Sequence, residues 1–286
     1  MTVCTASMFY WNSGVDGEDR WGPAFVIASD RMLTDVGLEI EYEASRPKAQ
    51  TCDGTHMIFV AGDMPFVTEA VVMANRALGN DGGHATVEIA RVLGAAFEKV
   101  RRSRAAKRYL APLNLTEDMF EAGLLGHSNG LMMDLADKMQ AAHFDAEAMV
   151  VGVDGDVAGL FRIDPYGVVT DHFHIGFLSI GIGGIHSSAQ FMNEPYLHSR
   201  NYYSSLYSTF VAKKRAEVAP GVGKVTDIFR ITRDSVVQIP DPLVRRLEKL
   251  HQAQRISDAR VTQRAAQKII QEEQKFFASQ GEIKGK

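Results

Sequence analysis

Between residues 148 and 180 four short apolar runs follow one another, each bounded by turn residues. Residues 148–153 lead to Asp154-Gly155, and residues 157–163 lead to Asp164-Pro165-Tyr166-Gly167. Residues 168–172 then run into 175–180, which Gly181-Ile182-Gly183-Gly184 closes. Runs this short, punctuated by Gly, Pro and Asp, predict an antiparallel meander. A parallel sheet would need a helical crossover between strands, and the spacing leaves no length for one.

Around the meander, runs of strands alternate with runs of helices, the pattern of α+β layers. Residues 2–10 and 24–29 predict buried strands, separated by a polar, Gly-rich loop over 12–22. Residues 57–61 give a short apolar strand ending in Gly62-Asp63. Val67, Val71, Ala74 and Leu78 recur at helical spacing over 66–78, and Asn80-Asp81-Gly82-Gly83 stops that helix. Residues 84–107 and 202–217 predict further helices, with a strand over 225–232. From 241 to 279 a thin, irregular apolar stripe (Leu243, Leu247, Leu250, Ile256) predicts one long polar helix or a pair. The heptads slip, so a continuous coiled coil is not expected. The division predicted is a body over 2–235 and a helical extension over 236–286.

Composition matters mainly for what it removes. A formal net charge of −4 with no Lys/Arg stripe gives no field for nucleic acid. The basic run from Lys99 to Arg108 suits the solvated C-terminal end of a helix. Two cysteines, Cys4 and Cys52, cannot form a disulfide framework or a four-ligand zinc site. No apolar run reaches membrane-span length and no charged leader precedes the first strand, so a cytoplasmic location is expected.

The sequence begins Met1-Thr2 and enters a strand at once. Once Met1 is removed, Thr2 carries both a hydroxyl nucleophile and a free α-amine, a known pairing for acyl transfer without a separate histidine base. An α-amine with a reference pKa of ~7.7–8.0 is partly neutral near pH 7 and can accept the hydroxyl proton. Asp30 ends an apolar strand and Lys48 follows Pro47.

The ordered set Asp30, Lys48, Ala61-Gly62, Gly152-Val153-Asp154, Leu160-Phe161-Arg162-Ile163-Asp164-Pro165-Tyr166-Gly167 and Ile180-Gly181-Ile182-Gly183 resembles proteasome β-type subunits. It is similar also to the bacterial HslV peptidase; both are N-terminal nucleophile (Ntn) hydrolases. The resemblance spans roughly residues 2–232. It implies a four-layer αββα sandwich, a threonine-type peptidase and a self-compartmentalising homo-oligomeric ring acting on peptides or unfolded proteins. It implies no metal and no cofactor. The sequence carries no mark for or against an ATP-driven unfoldase partner.

By the same resemblance Thr2 is the nucleophile, Lys48 the cation beside it, and Asp30 the carboxylate that holds Lys48. Gly62 supplies an oxyanion N–H, with Gly183 and Glu217 in support. The loop position that holds serine in the family holds Ile182 here. Each residue also has an ordinary role: Lys48 as a surface lysine, Asp30 as a strand-end turn residue, Gly62 as a strand terminator. Two other functions stay open, an Ntn amidohydrolase for a small amide and a non-catalytic ring scaffold. Cys4 reads as a buried strand cysteine, and His172 with His174 as sheet-surface residues lacking a third metal ligand. Met132, Met133 and Met139 read as helix core.

Overall fold

The structure, a computed structural model, describes residues 2–12, 21–35, 40–45, 47–53, 55–79, 82–122, 129–194 and 201–283. In chain order the strands are β1 Cys4–Asn12, β2 Trp21–Ser29, β3 Met32–Asp35, β4 Ile40–Glu43, β5 Ala49–Asp53 and β6 His56–Gly62. Helices α1 Met64–Leu78, α2 Thr86–Tyr109, α3 Glu117–Glu121 and α4 Asn129–Ala141 follow. Then come β7 Ala146–Asp154, β8 Val157–Ile163, β9 Val169–Asp171, β10 Phe177–Ile180, α5 Gly184–Asn193 and α6 Tyr202–Ala216. The chain ends with β11 Asp227–Ile231, β12 Val236–Gln238 and α7 Asp241–Ile283.

Two five-stranded antiparallel sheets form the centre, ordered β10-β1-β2-β11-β12 and β5-β6-β7-β8-β9, with β3 and β4 as a separate ribbon. Side chains alternate across each strand, and both faces of the central strands are buried. Cys4, Ala6, Met8, Phe25 and Ile27 meet Met57, Phe59, Met149 and Val151 in a core between the sheets. On the outer face of the second sheet, Ile58, Val60, Ala148 and Val150 pack against Phe66, Val71, Leu93 and Phe97 of α1 and α2. On the outer face of the first, Ser7 hydrogen-bonds Thr209 of α6 at 2.6 Å, and Phe9 rests on Tyr202. The result is a four-layer αββα sandwich, with a C-terminal helical extension. Double-sided burial explains why these strands read as nearly continuous apolar runs.

Local chemistry starts α1 sharply. Asp63 caps it, accepting the Phe66 N–H at 3.0 Å, and Pro65 lies in the first turn where its missing N–H is harmless. Phe66, Val67, Ala70, Val71 and Ala74 form its buried stripe.

Several expectations need correcting. The meander is three strands long, because β10 leaves the second sheet and pairs with β1, Cys4 opposite Ile180. The turn decides this: Ile175 and Gly176 both donate to the His172 carbonyl at 3.0 Å, Gly176 has φ +79, and its carbonyl accepts the Met8 N–H at 2.8 Å. Leu178 and Ile180 enter the core that strands of both sheets share, so the apolar pattern alone is silent on the choice. His172 therefore lies in a turn beyond β9, not on a strand. In α4 Leu135 is buried, while Met133 is 68% exposed and is not core. The loop expected over 12–22 is shorter, since β1 reaches Asn12 and β2 starts at Trp21; residues 13–20, like the helix stop at 80–81, lie outside the described residues.

The chain divides into two compact units, residues 1–239 and 240–286. The second contains α7, one helix of 43 residues, whose Leu250, Ile256, Val261 and Ile269 are all exposed. No helix among the described residues is long and apolar enough to cross a membrane.

Candidate active site

Register brings the first two site residues together. Cys4 pairs with Ser29 in the β1–β2 ladder, so Thr2 and Asp30 project beyond the same end of the sheet. The Asp30 N–H donates to the Val3 carbonyl at 3.2 Å, and the Val3 N–H to Asp30 Oδ1 at 3.3 Å. Next to Asp30, Arg31 holds Asp227 of β11 through Nε at 2.7 Å and a terminal nitrogen at 2.5 Å, a bidentate pair that fixes this strand end.

Lys48 arrives from the other sheet. It immediately precedes β5, whose Ala49 pairs with Phe59 of β6, and its side chain is 3% exposed. Its ammonium donates to Thr2 Oγ1 at 2.6 Å and to Asp30 Oδ1 at 3.1 Å. The Thr2 hydroxyl also donates to Asp30 Oδ1. Asp30 is fully buried, and its Oδ2 accepts the Gly223 N–H at 2.7 Å. Four donors thus converge on one carboxylate, which offsets the cost of burying its charge. Thr2 itself is 1% exposed.

The remaining residues named from the sequence stand in different places. Gly62 closes β6 with φ +93, and a Cβ there would lie 1.9 Å from the Asp145 carbonyl oxygen. Backbone packing alone therefore requires glycine. Two residues earlier, the Val60 carbonyl lies 3.9 Å from Cys4 Sγ, which puts the end of β6 across from the start of β1. Gly183 reaches Thr2 through the backbone, donating to its carbonyl at 3.4 Å. Gly181 comes closer still, since a Cβ on it would sit 2.3 Å from the Thr2 oxygen. Glu217 does not touch Thr2; it accepts from Lys213 at 2.5 Å and Lys214 at 2.8 Å. Ile182 is half exposed in the Gly181–Gly183 turn. Burial, with Asp30's charge adding and Lys48's opposing, pushes the Cys4 thiol far above its usual range, which favours the protonated thiol.

Sequence reading missed Gly223, Lys213, Glu43 and Glu147. Glu147 of β7 accepts the Gly181 N–H at 2.9 Å and also pairs with Arg162, tying the second sheet to the loop over Thr2. The one sequence signal that could have pointed to them is the Lys213–Glu217 spacing of four, that of an ordinary helix pair. Among the described residues no group of three His, Cys, Asp or Glu is placed to hold a metal ion.

No family model and no curated protein matches this sequence. Among solved structures it is similar to Anbu (ancestral beta-subunit) from Yersinia bercovieri, with TM-score 0.59 and 15% identity over 90% of this chain and 95% of that one. A Gly-1 mutant of Anbu from Hyphomicrobium sp. strain MC1 aligns with TM-score 0.58 and 15% identity, over 91% of this chain and 97% of that one. These matches correct the resemblance named from the sequence: the structural neighbours are Anbu proteins, proteasome-like in their Ntn fold but distinct. At 15% identity the likeness carries the fold and nothing finer.

Proposed function

We propose that the chain is an N-terminal threonine hydrolase that cleaves peptide bonds, active once everything before Thr2 has been removed. The observation that carries this reading is the Lys48 ammonium 2.6 Å from Thr2 Oγ1, on a carboxylate that both residues share. Thr2 Oγ1 attacks the scissile carbonyl while its proton passes to the freed α-amine. The amine then gives that proton to the departing nitrogen, leaving an ester on Thr2. Water attacks the ester, loses a proton to the amine, and Thr2 regains its hydroxyl hydrogen as the acid leaves. Lys48 stabilises negative charge on Oγ1 during attack, and by like-charge repulsion it keeps the nearby amine neutral. Asp30 fixes Lys48, and the Gly62 N–H serves as an oxyanion donor, a role that can supply ~3–4 kcal/mol.

The same reading takes peptides or unfolded proteins as substrates and a homo-oligomeric ring as the assembly. Ile185 and Met192, 82% and 74% exposed on α5, offer such an assembly apolar surface to bury. A second reading, hydrolysis of a small amide, draws on the exposed Ile182 where the sequence resemblance expects a polar serine.

The test combines intact mass with hydrolysis assays of wild type and Thr2→Ala on short peptides, a casein-like chain and small amides. Loss of Met1 with Thr2-dependent peptide cleavage is the expected result. Retained Met1, or cleavage that survives Thr2→Ala, would overturn the hydrolase. Thr2-dependent cleavage confined to small amides selects the second reading.

A further inference from the structure

Asp30 is held from behind by a turn that no sequence motif marks. Gly223 gives its N–H to Oδ2, and the two peptide units that follow are gripped from both sides. Lys213 Nζ donates to the carbonyls of Gly223 at 2.8 Å and Lys224 at 3.2 Å. Glu43 Oε1 accepts the N–H groups of Lys224 and Val225, each at 3.0 Å. Both peptide units thus have the carbonyl on a cation and the N–H on an anion.

Lys213 is an unusual group to find here. It lies on α6 with its side chain fully buried, and its third bond goes to Glu217 at 2.5 Å. An ammonium has three N–H donors, and three acceptors take them, so this geometry uses the protonated form. Burial disfavours that form and lowers its pKa, while the charges of Glu217 and Asp30 favour it. Apolar residues often replace buried ion pairs without loss of stability, so packing alone gives no reason for a lysine. The turn that it holds gives one. A Cβ at Gly223 would meet Met32 at 3.0 Å and Glu43 Oε1 at 3.1 Å, so the turn also seats closely against the β3–β4 ribbon.

We propose that Lys213 and Glu43 are positioning residues for the candidate site: their grip on residues 223–225 aims the Gly223 N–H at Asp30 Oδ2, leaving Oδ1 for Thr2 and Lys48. The proposal rests on the reading of Thr2 as the nucleophile. Free to turn, the carboxylate would carry Lys48 and the Thr2 hydroxyl with it, and misplacement of about 1 Å can cost roughly a hundredfold in rate.

The experiment uses the full chain with Glu43→Ala, Glu43→Gln and Lys213→Met. Glu43 is exposed, so its variants leave the core intact and keep the test decisive if Lys213→Met fails to fold. Three readouts are taken: kcat and KM on peptide, the Gly223 amide 1H–15N signal, and the 13C signal of the Asp30 carboxyl. Glu43→Ala is expected to lower kcat about tenfold with KM unchanged, since it disturbs orientation and not binding. It should also move both NMR signals. Glu43→Gln, whose carboxamide oxygen accepts the same two N–H groups, should restore most of the rate. Wild-type kcat and unmoved signals in Glu43→Ala would overturn the proposal, as would a lowered Tm with unchanged kcat per folded molecule. If Thr2→Ala retains hydrolysis, the hydrolase reading fails on its own. The two NMR signals then decide whether the grip orients Asp30.

Discussion

Replacing Lys48 with methionine separates chemistry from packing. Methionine nearly matches the buried stem and removes the ammonium that donates to Thr2 and Asp30 at 2.6 and 3.1 Å. Hydrogen bonds to charged groups contribute about 1.5–3 kcal/mol each, which is the loss side. Against it, an ammonium whose side chain is 3% exposed no longer has to be desolvated. Asp30 keeps the Thr2 hydroxyl and the Val3 and Gly223 N–H groups. The net loss should therefore be about 1–2 kcal/mol, below the 3–5 that a bare buried charge costs. At roughly 2–4 °C per kcal/mol for a domain of this size, Tm falls by about 2–8 °C. On the proposed reading of Thr2 as nucleophile, hydrolysis should fall far more, by about 10²–10³ or beyond, because the lost donor faces the developing charge. Calorimetry and kcat/KM on the same preparation, with Met1 removal verified by mass, give both numbers. A rate within about tenfold of wild type, or a Tm loss above about 15 °C, would refute the reasoning.

Other perturbations test separate parts of the account. Gly62→Ala should destabilise by about 2 kcal/mol or more in chemical denaturation, because φ +93 and a 1.9 Å approach to Asp145 leave a Cβ no room; wild-type stability would mean that β6 ends differently. In a Cys52→Ser background, native Cys4 should resist alkylation at pH 8 and label only on unfolding, since burial raises its pKa; labelling at the rate of a free thiol would contradict this. His172, lowered by burial and then by Arg162, should titrate below 6.5 in an NMR pH series. A lowered histidine binds its proton less well in the folded state, so stability rises with pH from the folded pKa up to 6.5. His172→Gln should flatten that limb, and an unchanged limb would remove His172 as its source.

Much of the fold was legible because strand and helix periods stood out where both faces of an element are apolar or one stripe is. The helix over 66–78 and the strand over 157–163 are cases. Elements with polar buried faces were not legible. Helix α5 buries Ser187 and Gln190 beside Phe191, so no apolar stripe announced it. The β3–β4 ribbon passed unread, because four-residue strands such as Ile40–Glu43 are too short to show a period. Within the candidate site, Thr2 stood out by its place after Met1, and Asp30 and Lys48 only through the order of motifs along the chain. Lys213 and Glu43 were not, because each acts on backbone groups of residues 223–225. Backbone partners leave no trace in side-chain spacing. Glu217 shows a different limit: its position drew attention, yet its partners are Lys213 and Lys214 beside it in the chain, not Thr2.

Thr2 and Asp30 are carried by one sheet and Lys48 by the other, so the three groups meet only when the layers have closed on Phe59, Met149 and their neighbours. A chain still emerging from synthesis, with β5 and β6 not yet docked, holds a hydroxyl without its cation. If Thr2 is the proposed nucleophile, closure of the two layers is then what arms it.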